Sequence, residues 1–375
     1  LACGPQTGVK LRWQAHTPEG LDSAQWEDAL GDVHSALLAA QQSLDTVTEI
    51  SPDLARLHER AVELAARAQR FGGPCAKGRV RWLDLSRDWR MVESPLNIAQ
   101  TVQDKLLSGA PKAWVFTSAT LGDDEQLSWF TRPCGLGGAV TRQVSSPFDY
   151  PTQAAVYVPA ALPKPSEPGH SPAVARLAAR YAQQLGGRTF VLTTTLRALR
   201  TIGEALQQQL GESGLQVLVQ GQEPKRRLIE RFRAAGAPGA ENGCVLVASA
   251  SFWEGVDMPG DALQLVIIDK LPFPPPNDPL VQARTEALEA EGMNAFNDYF
   301  VPEAAVALKQ GAGRLIRRES DRGLLVLCDS RLGSMGYGRR LMRALPPMAV
   351  LKSEDEMSER LAALTKTSTT SLWPT

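Results

Sequence analysis

The chain has 375 residues, 43% of them hydrophobic, and a formal net charge of −1. This is enough for two or three domains with a sizeable core, and it excludes a globally basic surface, so any nucleic-acid contact must rest on local patches. The five cysteines (3, 75, 134, 244, 328) are odd in number and never stand at metal-ligand spacing, and His16, His34, His58 and His170 are scattered as packing or surface residues. No disulfide framework or metal site is expected, and a reducing cytoplasm fits best. No apolar run approaches the ~18 residues that span a membrane, and no signal peptide is visible. The chain starts at Leu1 rather than methionine and is expected to be a piece of a longer one.

Residues 1 to 72 read as helices, with a helical hairpin over Leu21–Thr46 and Pro52–Arg70, capped by Asp22 or Ser23 and by Ser51. Gly72-Gly73-Pro74 breaks this pattern, and Arg79–Leu85 alternates with period two, as a half-buried strand does. A helix from Ser94 to Leu107 and a short buried strand over Ala113–Phe116 follow, the strand running into Thr117-Ser118-Ala119-Thr120-Leu121-Gly122. Small hydroxyl residues at the carboxyl end of a strand stand where open α/β sheets place ligands. Gly135 to Gly169 is rich in Gly, Pro and Ser, and Ser145–Phe148 reads as a joint between two lobes. Beyond it, short apolar strands (Ala154–Val158, Thr189–Thr193, Gln216–Val219, Cys244–Ala248, Leu265–Ile268, Leu324–Cys328) alternate with helices, a pattern that predicts a parallel sheet covered on both faces. From Lys352 the chain is charged and then Ser/Thr-rich, and is expected to end in a loose tail.

Four segments fall where the strands of the second lobe should deliver them. Thr193-Thr194-Thr195 ends one strand; its hydroxyls and amides suit a phosphate contact, or simply a turn. Ser251-Phe252-Trp253-Glu254-Gly255-Val256-Asp257-Met258-Pro259-Gly260 sets two carboxylates and an aromatic on a stiff loop. Leu271–Pro276 makes a polyproline-like bridge with one anchoring ring, Phe273. The fourth is Gln310-Gly311-Ala312-Gly313-Arg314-Leu315-Ile316-Arg317, where continued helical spacing would bring Gln310, Arg314 and Arg317 to one face. Such a face suits an anion of defined geometry, although arginines at a helix end also serve as a solvated, dipole-compensating surface. Its two glycines suggest the close approach of another backbone or a ligand. Between Lys309 and Arg343 nine basic residues stand against three acidic ones, a local surplus of six in a nearly neutral chain.

In this order, Thr-Ser-Ala-Thr-Leu, Ser-Phe-Trp-Glu-Gly-Val-Asp-Met-Pro-Gly, Leu-Pro-Phe-Pro-Pro-Pro-Asn-Asp-Pro-Leu and Gln-Gly-Ala-Gly-Arg-Leu-Ile-Arg-Arg resemble the carboxyl-terminal motifs of the DinG/YoaA branch of XPD-like superfamily 2 DNA helicases. The resemblance runs from about Ser94 to Pro347. It implies an α/β fold: a RecA-like parallel-sheet motor lobe with helices on both faces, preceded by a helical Arch-like piece and the last part of a first RecA-like lobe. The implied division is Arch 1–93, end of the first lobe 94–145, second lobe 146–350 and tail 351–375. By the same resemblance Ser118, Ala119 and Thr120 would couple nucleotide state to DNA movement. Glu254, Gly255, Asp257 and Gly313 would line the ATP site, with Gln310, Arg314 and Arg317 as the catalytic group and the two arginines at the γ-phosphate. Thr193, Thr194, Ser251 and Trp253 would meet DNA.

The implied activity is ATP-dependent 5′→3′ translocation on single-stranded DNA in repair or replication stress. ATP and Mg²⁺ would be bound mainly by the first lobe, and an iron–sulfur cluster belongs to the full-length parent rather than to this chain. A replication or repair protein is an expected partner, the membrane is not, and the setting is the bacterial cytoplasm, on the nucleoid when DNA is bound. No Gly-x-x-x-x-Gly-Lys-[Ser/Thr] loop and no Asp-Glu-Ala-His box occurs in the 375 residues. The chain alone is therefore expected not to hydrolyse ATP, and the alternative reading is a non-catalytic nucleic-acid-binding or partner-docking module.

Overall fold

The computed structural model describes residues 8–14, 16–85, 88–110, 112–122, 124–237, 243–249, 252 and 262–367. They form two compact units: the residues through Val115 with Thr131–Gly138 and Pro275–Ala295, and Phe116–Phe130 with Ala139–Pro274 and everything from Phe296 onward. This partition cuts across the boundaries implied by the motifs. Residues 94–145 divide between the units, Ser145–Phe148 lies inside the second, and Pro275–Ala295 goes with the first.

In the first unit the helices Ser23–Asp45 and Pro52–Gly72 form where the caps predict. The Asp22 carboxylate accepts from the Gln25 amide at 2.9 Å and the Ser51 hydroxyl from the Leu54 amide at 3.3 Å. The second helix buries Ala61, Ala65, Ala68 and Phe71, three or four residues apart. The beginning of the chain is not all helical, however. β1 (Val9–Gln14) and β2 (Thr17–Pro18) join β3 (Arg79–Leu85) and β4 (Trp89–Pro95) in an antiparallel sheet ordered β2-β1-β3-β4. β1 is fixed from far away in sequence. It pairs with β3, Lys10 Nζ lies 2.6 Å from Asp278, and Arg12 donates two bonds of 2.6–2.7 Å to Glu286. Asp278 and Glu286 flank or lie on the helix Pro279–Ala290, whose Leu280 and Ala283 pack on Val80 and Trp82. That packing accounts for the place of Pro275–Ala295 in the first unit.

Under the sheet Arg81 is 2% exposed; its guanidinium donates to Glu93 at 2.7 Å and to the carbonyls of Gly73 and Arg70 at 2.6 and 2.8 Å, closing the end of the second helix. Burial pushes the Glu93 carboxyl up, but bonding and charge from Arg81, Arg79 and Arg70 outweigh it and hold it below its ordinary value.

Two expectations for the stretch after β4 are corrected. The helix of a dozen residues is only Ala99–Val102, widening into a π-helical turn at Gln103–Leu107. Residues 113–116 form no strand: Trp114, Val115 and Phe116 are 44%, 82% and 38% exposed. A strand draws its hydrogen bonds from neighbours, and among the described residues none pairs with this segment.

The second unit is a seven-stranded parallel sheet ordered β11-β5-β10-β9-β6-β8-β7; six of its strands are those that the apolar runs predict, and β11 is an addition. Its strands are β5 (Ala154–Tyr157), β6 (Thr189–Thr193), β7 (Gln216–Val219), β8 (Cys244–Ser249), β9 (Leu265–Ile268), β10 (Gly323–Leu327) and β11 (Ala349–Leu351). Successive side chains alternate between two cores. Phe190, Leu246, Val266 and Leu325 face the helices Lys225–Ala235, Val301–Ala312 and Gly338–Ala344; Val191, Val247, Ile267 and Val326 face His170–Leu185, Leu196–Leu210 and Glu354–Thr367.

The expected tail is thus corrected up to Thr367. Met357, Leu361 and Leu364 recur at helical spacing and are at most 1% exposed, and Glu354 accepts from the phenols of Tyr157 and Tyr181 at 3.1 and 2.8 Å and from Arg180 at 2.5 Å. Residues 368–375 lie outside the described residues. Among the described residues no helix is long and apolar enough to cross a membrane.

Candidate functional site

In a parallel sheet the carboxyl ends of the strands share one edge, and ligand sites gather there. At this edge β9 and β10 each run into an aspartate, and the two carboxylates tie neighbouring strand ends together. Asp269, 1% exposed, accepts from the amides of Thr194 and Lys270 at 3.0 and 2.8 Å, linking β9 to the end of β6. Burial pushes its carboxyl up to about 6, against the charge of Lys270, the two amide bonds and the charge of His170. The buried His170 ring has one nitrogen 2.8 Å from the Asp269 carbonyl and the other 2.8 Å from the Pro163 carbonyl.

Asp329, also 1% exposed, accepts from the Leu271 amide at 2.9 Å and takes a two-pronged bond from Arg331, at 2.9 Å from Nε and 2.6 Å from Nη2. The Arg331 guanidinium lies 5.5 Å from the centre of the Phe273 ring, so the proline bridge is anchored by its single ring as predicted. The sequence signal for these two aspartates is an acidic residue directly after an apolar run, Leu-Val-Ile-Ile in one case and Leu-Leu-Val-Leu-Cys in the other.

The threonine segment is mostly a turn. The Thr193 hydroxyl donates to the Ala248 carbonyl at 3.3 Å and the Thr195 hydroxyl caps the helix Leu196–Leu210 by accepting from Ala198 at 3.2 Å. The Thr194 hydroxyl is buried at this edge, with no hydrogen-bond partner among the described residues. Beside it, Ser249 at the end of β8 donates its amide and hydroxyl to Gln220 at 2.7 and 3.0 Å. Ser251, Trp253, Glu254, Gly255 and Asp257 lie outside the described residues. Phe252, within the same motif, is buried, with Lys225 Nζ 5.0 Å from its ring centre. Ser118 and Ala119 are exposed and Thr120 half-buried; the Ser118 and Thr120 hydroxyls stand 3.2 Å apart, and Ser118 also accepts from the Thr120 amide at 3.2 Å.

The arginine segment differs from the single helical face expected. The helix Val301–Ala312 carries Gln310 but stops before Arg314. Tighter bonds, from Arg314 N to Gly311 O at 3.2 Å and from Leu315 N to Ala312 O at 3.1 Å, replace the helical ladder. Leu315 and Ile316, consecutive residues that one helical stripe would separate, then both bury in the core. Asp321 captures the chain beyond them: its Oδ2 accepts from the amides of Arg317 and Arg318 at 2.8 and 2.9 Å. Gln153 supports the outer side, its Nε2 donating to the carbonyls of Arg318, Glu319 and Asp321 at 2.8–3.2 Å.

Asp321 and Gln153 are each 3% exposed, whereas Gln310, Gly313, Arg314 and Arg317 are half-buried and Arg318 is exposed. The two arginines therefore sit on a turn with a fixed backbone. The closest contact of a Cβ built on Gly313 would be 3.2 Å to the Lys309 carbonyl of its own helix, so this glycine serves the helix end rather than a foreign backbone.

Residues 178–348 match a family model described as the helicase C-terminal domain. The chain is 37% identical over 316 residues to the ATP-dependent DNA helicase YoaA of Escherichia coli (strain K12), covering 81% of this chain and 48% of that protein. It is 36% identical over 258 residues to the ATP-dependent helicase DinG of Mycobacterium tuberculosis (strain ATCC 25618 / H37Rv), covering 68% and 37%. The chain thus spans half or less of the length of these relatives. A solved XPD helicase structure shares the fold with a TM-score of 0.52 at 15% identity, over 91% of this chain and 58% of that one. The chain is a homologue of the YoaA/DinG family of helicases, matching the portion that carries their carboxyl-terminal helicase domain.

Proposed function

We propose that this chain is the carboxyl-terminal portion of an ATP-dependent 5′→3′ DNA helicase, which couples ATP hydrolysis to movement along single-stranded DNA in repair or replication stress. The observation that carries the reading is the turn from Gly313 to Arg318, whose backbone Asp321 and Gln153 hold while Arg314 and Arg317 leave the core half-buried. Guanidinium forks on a rigid turn suit the oxygens of a phosphate chain, so these residues fit the nucleotide that the relatives' names imply. ATP, bound with Mg²⁺, supplies the phosphoryl group whose transfer to water drives the cycle. Arg314 and Arg317 would neutralise charge at its γ-phosphate, an effect worth ~10³–10⁵ in rate in comparable enzymes.

Gln310, Gly313, Glu254, Gly255 and Asp257 would complete this half of the nucleotide site. Ser118, Ala119 and Thr120 would transmit nucleotide state, and Thr193, Thr194, Ser251 and Trp253 would meet the single strand. In this reading residues 1–93 derive from an Arch, 94–145 from the end of a first motor lobe and 146–350 from the second lobe. The rest of the nucleotide site and an iron–sulfur cluster belong to the parent protein, which works in the bacterial cytoplasm with a replication or repair partner.

A second reading, a binding module without catalysis, is favoured for the chain by itself by one fact: it contains no phosphate-loop sequence. Both readings meet one experiment, ATP turnover with and without single-stranded DNA, measured on the 375-residue chain and on the full-length protein. DNA-stimulated turnover by the full-length protein and none by the chain is expected. Turnover by the chain alone would overturn the half-site account, and none by the full-length protein would favour the binding module.

A further inference from the structure

An open groove of about 750 Å³ lies in the second unit, lined by Phe296, Asn297, Arg331, Met335, Tyr337 and Arg340 among others. Its composition is unusual for a surface, because large apolar side chains stand exposed among arginines. Phe296 is 40% and Met335 48% exposed. The Phe296 ring is nonetheless held on several sides, with centroids 5.5 Å from Phe273, 5.1 Å from Tyr337 and 6.3 Å from Phe300. An aromatic ring that is already immobilised loses little freedom when a planar partner stacks on it.

The cations are arranged in two ways. Arg331 is neutralised by Asp329 and covers Phe273, so it completes the wall. Arg340 donates to the Asn297 carbonyl at 3.0 Å, a neutral acceptor that orients the guanidinium and leaves its charge in place. Arg339 and Arg343, on the same short helix Gly338–Ala344, are exposed.

The groove also has a definite place on the sheet. Phe273 follows β9 and Arg331 follows β10, while Thr194 follows β6, and these three strands are neighbours in the order β10-β9-β6. With strands ~4.8 Å apart, β10, which leads to Arg331, runs about 10 Å from β6, which leads to Thr194. The Asp269 and Asp329 bridges fasten these strand ends to one another.

We propose that this groove takes up a base of single-stranded DNA, stacked on Phe296 beside Tyr337, with Arg340 meeting an adjacent phosphate. An exposed but held ring next to a guanidinium with no ion pair among the described residues suits a ligand that alternates flat apolar faces with negative charge, as a single strand does. The inference rests on the helicase reading and adds to it a base-contacting site outside the helicase motifs.

The test uses the full chain and two labelled strands of equal length, oligo-dT and a fully abasic strand that keeps the phosphates and lacks the bases. Phe296→Ala is expected to weaken binding of oligo-dT about ten-fold and leave the abasic strand unchanged. Phe296→Leu, which keeps the apolar contacts of the fold, should behave alike, and Phe296→Tyr should restore binding. Arg340→Gln should weaken both strands and lower the slope of log affinity against log salt by about 1. Equal weakening of both strands by Phe296→Ala and Phe296→Leu, or no weakening of either, overturns the stacking site while the helicase reading stands. A wild-type chain that binds neither strand overturns the inference, and the helicase reading then rests on the turnover of the full-length protein.

Discussion

The arginine turn depends on one carboxylate, and removing it gives a prediction whose size can be worked out. Asp321 Oδ2 accepts from two consecutive amides, Arg317 N at 2.8 Å and Arg318 N at 2.9 Å, at a position 3% exposed. A hydrogen bond to an ionised acceptor contributes about 1.5–3 kcal/mol, and donors left without it pay desolvation unless water reaches them. Arg318 is exposed, so its amide can recover part of its bonding from solvent, whereas Arg317 is half-buried. Asp321→Ala should therefore destabilise the second unit by about 2–4 kcal/mol. Asp321→Asn, which keeps a neutral carbonyl acceptor, should cost about half as much.

In urea, with a slope of about 3 kcal/mol/M for a unit of this size, Asp321→Ala lowers the unfolding midpoint by about 1 M. Hydrogen exchange locates the effect, since the Arg317 and Arg318 amides should lose protection before the rest of the sheet does. In the full-length protein the same variant should lower turnover by loosening the turn that carries Arg317. An unchanged midpoint together with unchanged protection at Arg317 and Arg318 would refute the reasoning, because the two bonds would then hold nothing in place.

Other perturbations follow from the same edge and from the last helix. Asp269 titrates at about 6 in the fold, above its ordinary value of 3.8, because burial disfavours its ionised form. The folded state therefore binds its proton more tightly than the unfolded chain does. Ionisation of this one group costs roughly 3 kcal/mol above pH ~6, and the cost fades as the pH falls towards 4. Asp269→Asn, which retains an acceptor for Thr194 and Lys270, should gain stability over wild type near pH 7.5 and lose that advantage near pH 4; a gap that stays constant across this range would contradict the assignment. Glu354 is the shared acceptor of Tyr157 and the fully buried Tyr181. Glu354→Ala should lower stability by about 1–3 kcal/mol and Glu354→Gln by less, measured by thermal or urea unfolding. Equal stability of both variants and wild type would mean that the bonds from Tyr157, Tyr181 and Arg180 to Glu354 add nothing to the fold.

How far the sequence reveals this molecule depends on whether a feature is local. β6, β7 and β9 stand where the apolar runs put them, and the strands at 154, 244 and 323 shift by a residue at most, because a strand buried on both faces shows as a short, nearly continuous apolar run. Asp22 and Ser51 cap their helices because a cap is a contact between residues three apart. Of the antiparallel sheet β3 was legible at Arg79–Leu85, and its partners were hidden for the opposite reason. β1 is six residues of Val-Lys-Leu-Arg-Trp-Gln, and its stability comes from β3 and from Asp278 and Glu286, whose positions no short window contains.

The site was partly legible in the same sense. The residue types of the arginine segment were apparent, but its shape was not, since the helix ends where Leu315 and Ile316 bury and where Asp321 and Gln153, the latter far upstream, capture the backbone. The Met357, Leu361 and Leu364 stripe was readable at helical spacing and was masked by the charged residues between.

The central claim is that Arg314 and Arg317 complete a nucleotide site from the second lobe, and DNA-stimulated ATP turnover of the full-length protein tests it most directly. Arg314→Ala and Arg317→Ala should each reduce kcat by about 10³ or more while single-stranded DNA binding stays measurable. Wild-type turnover in both variants would contradict the account.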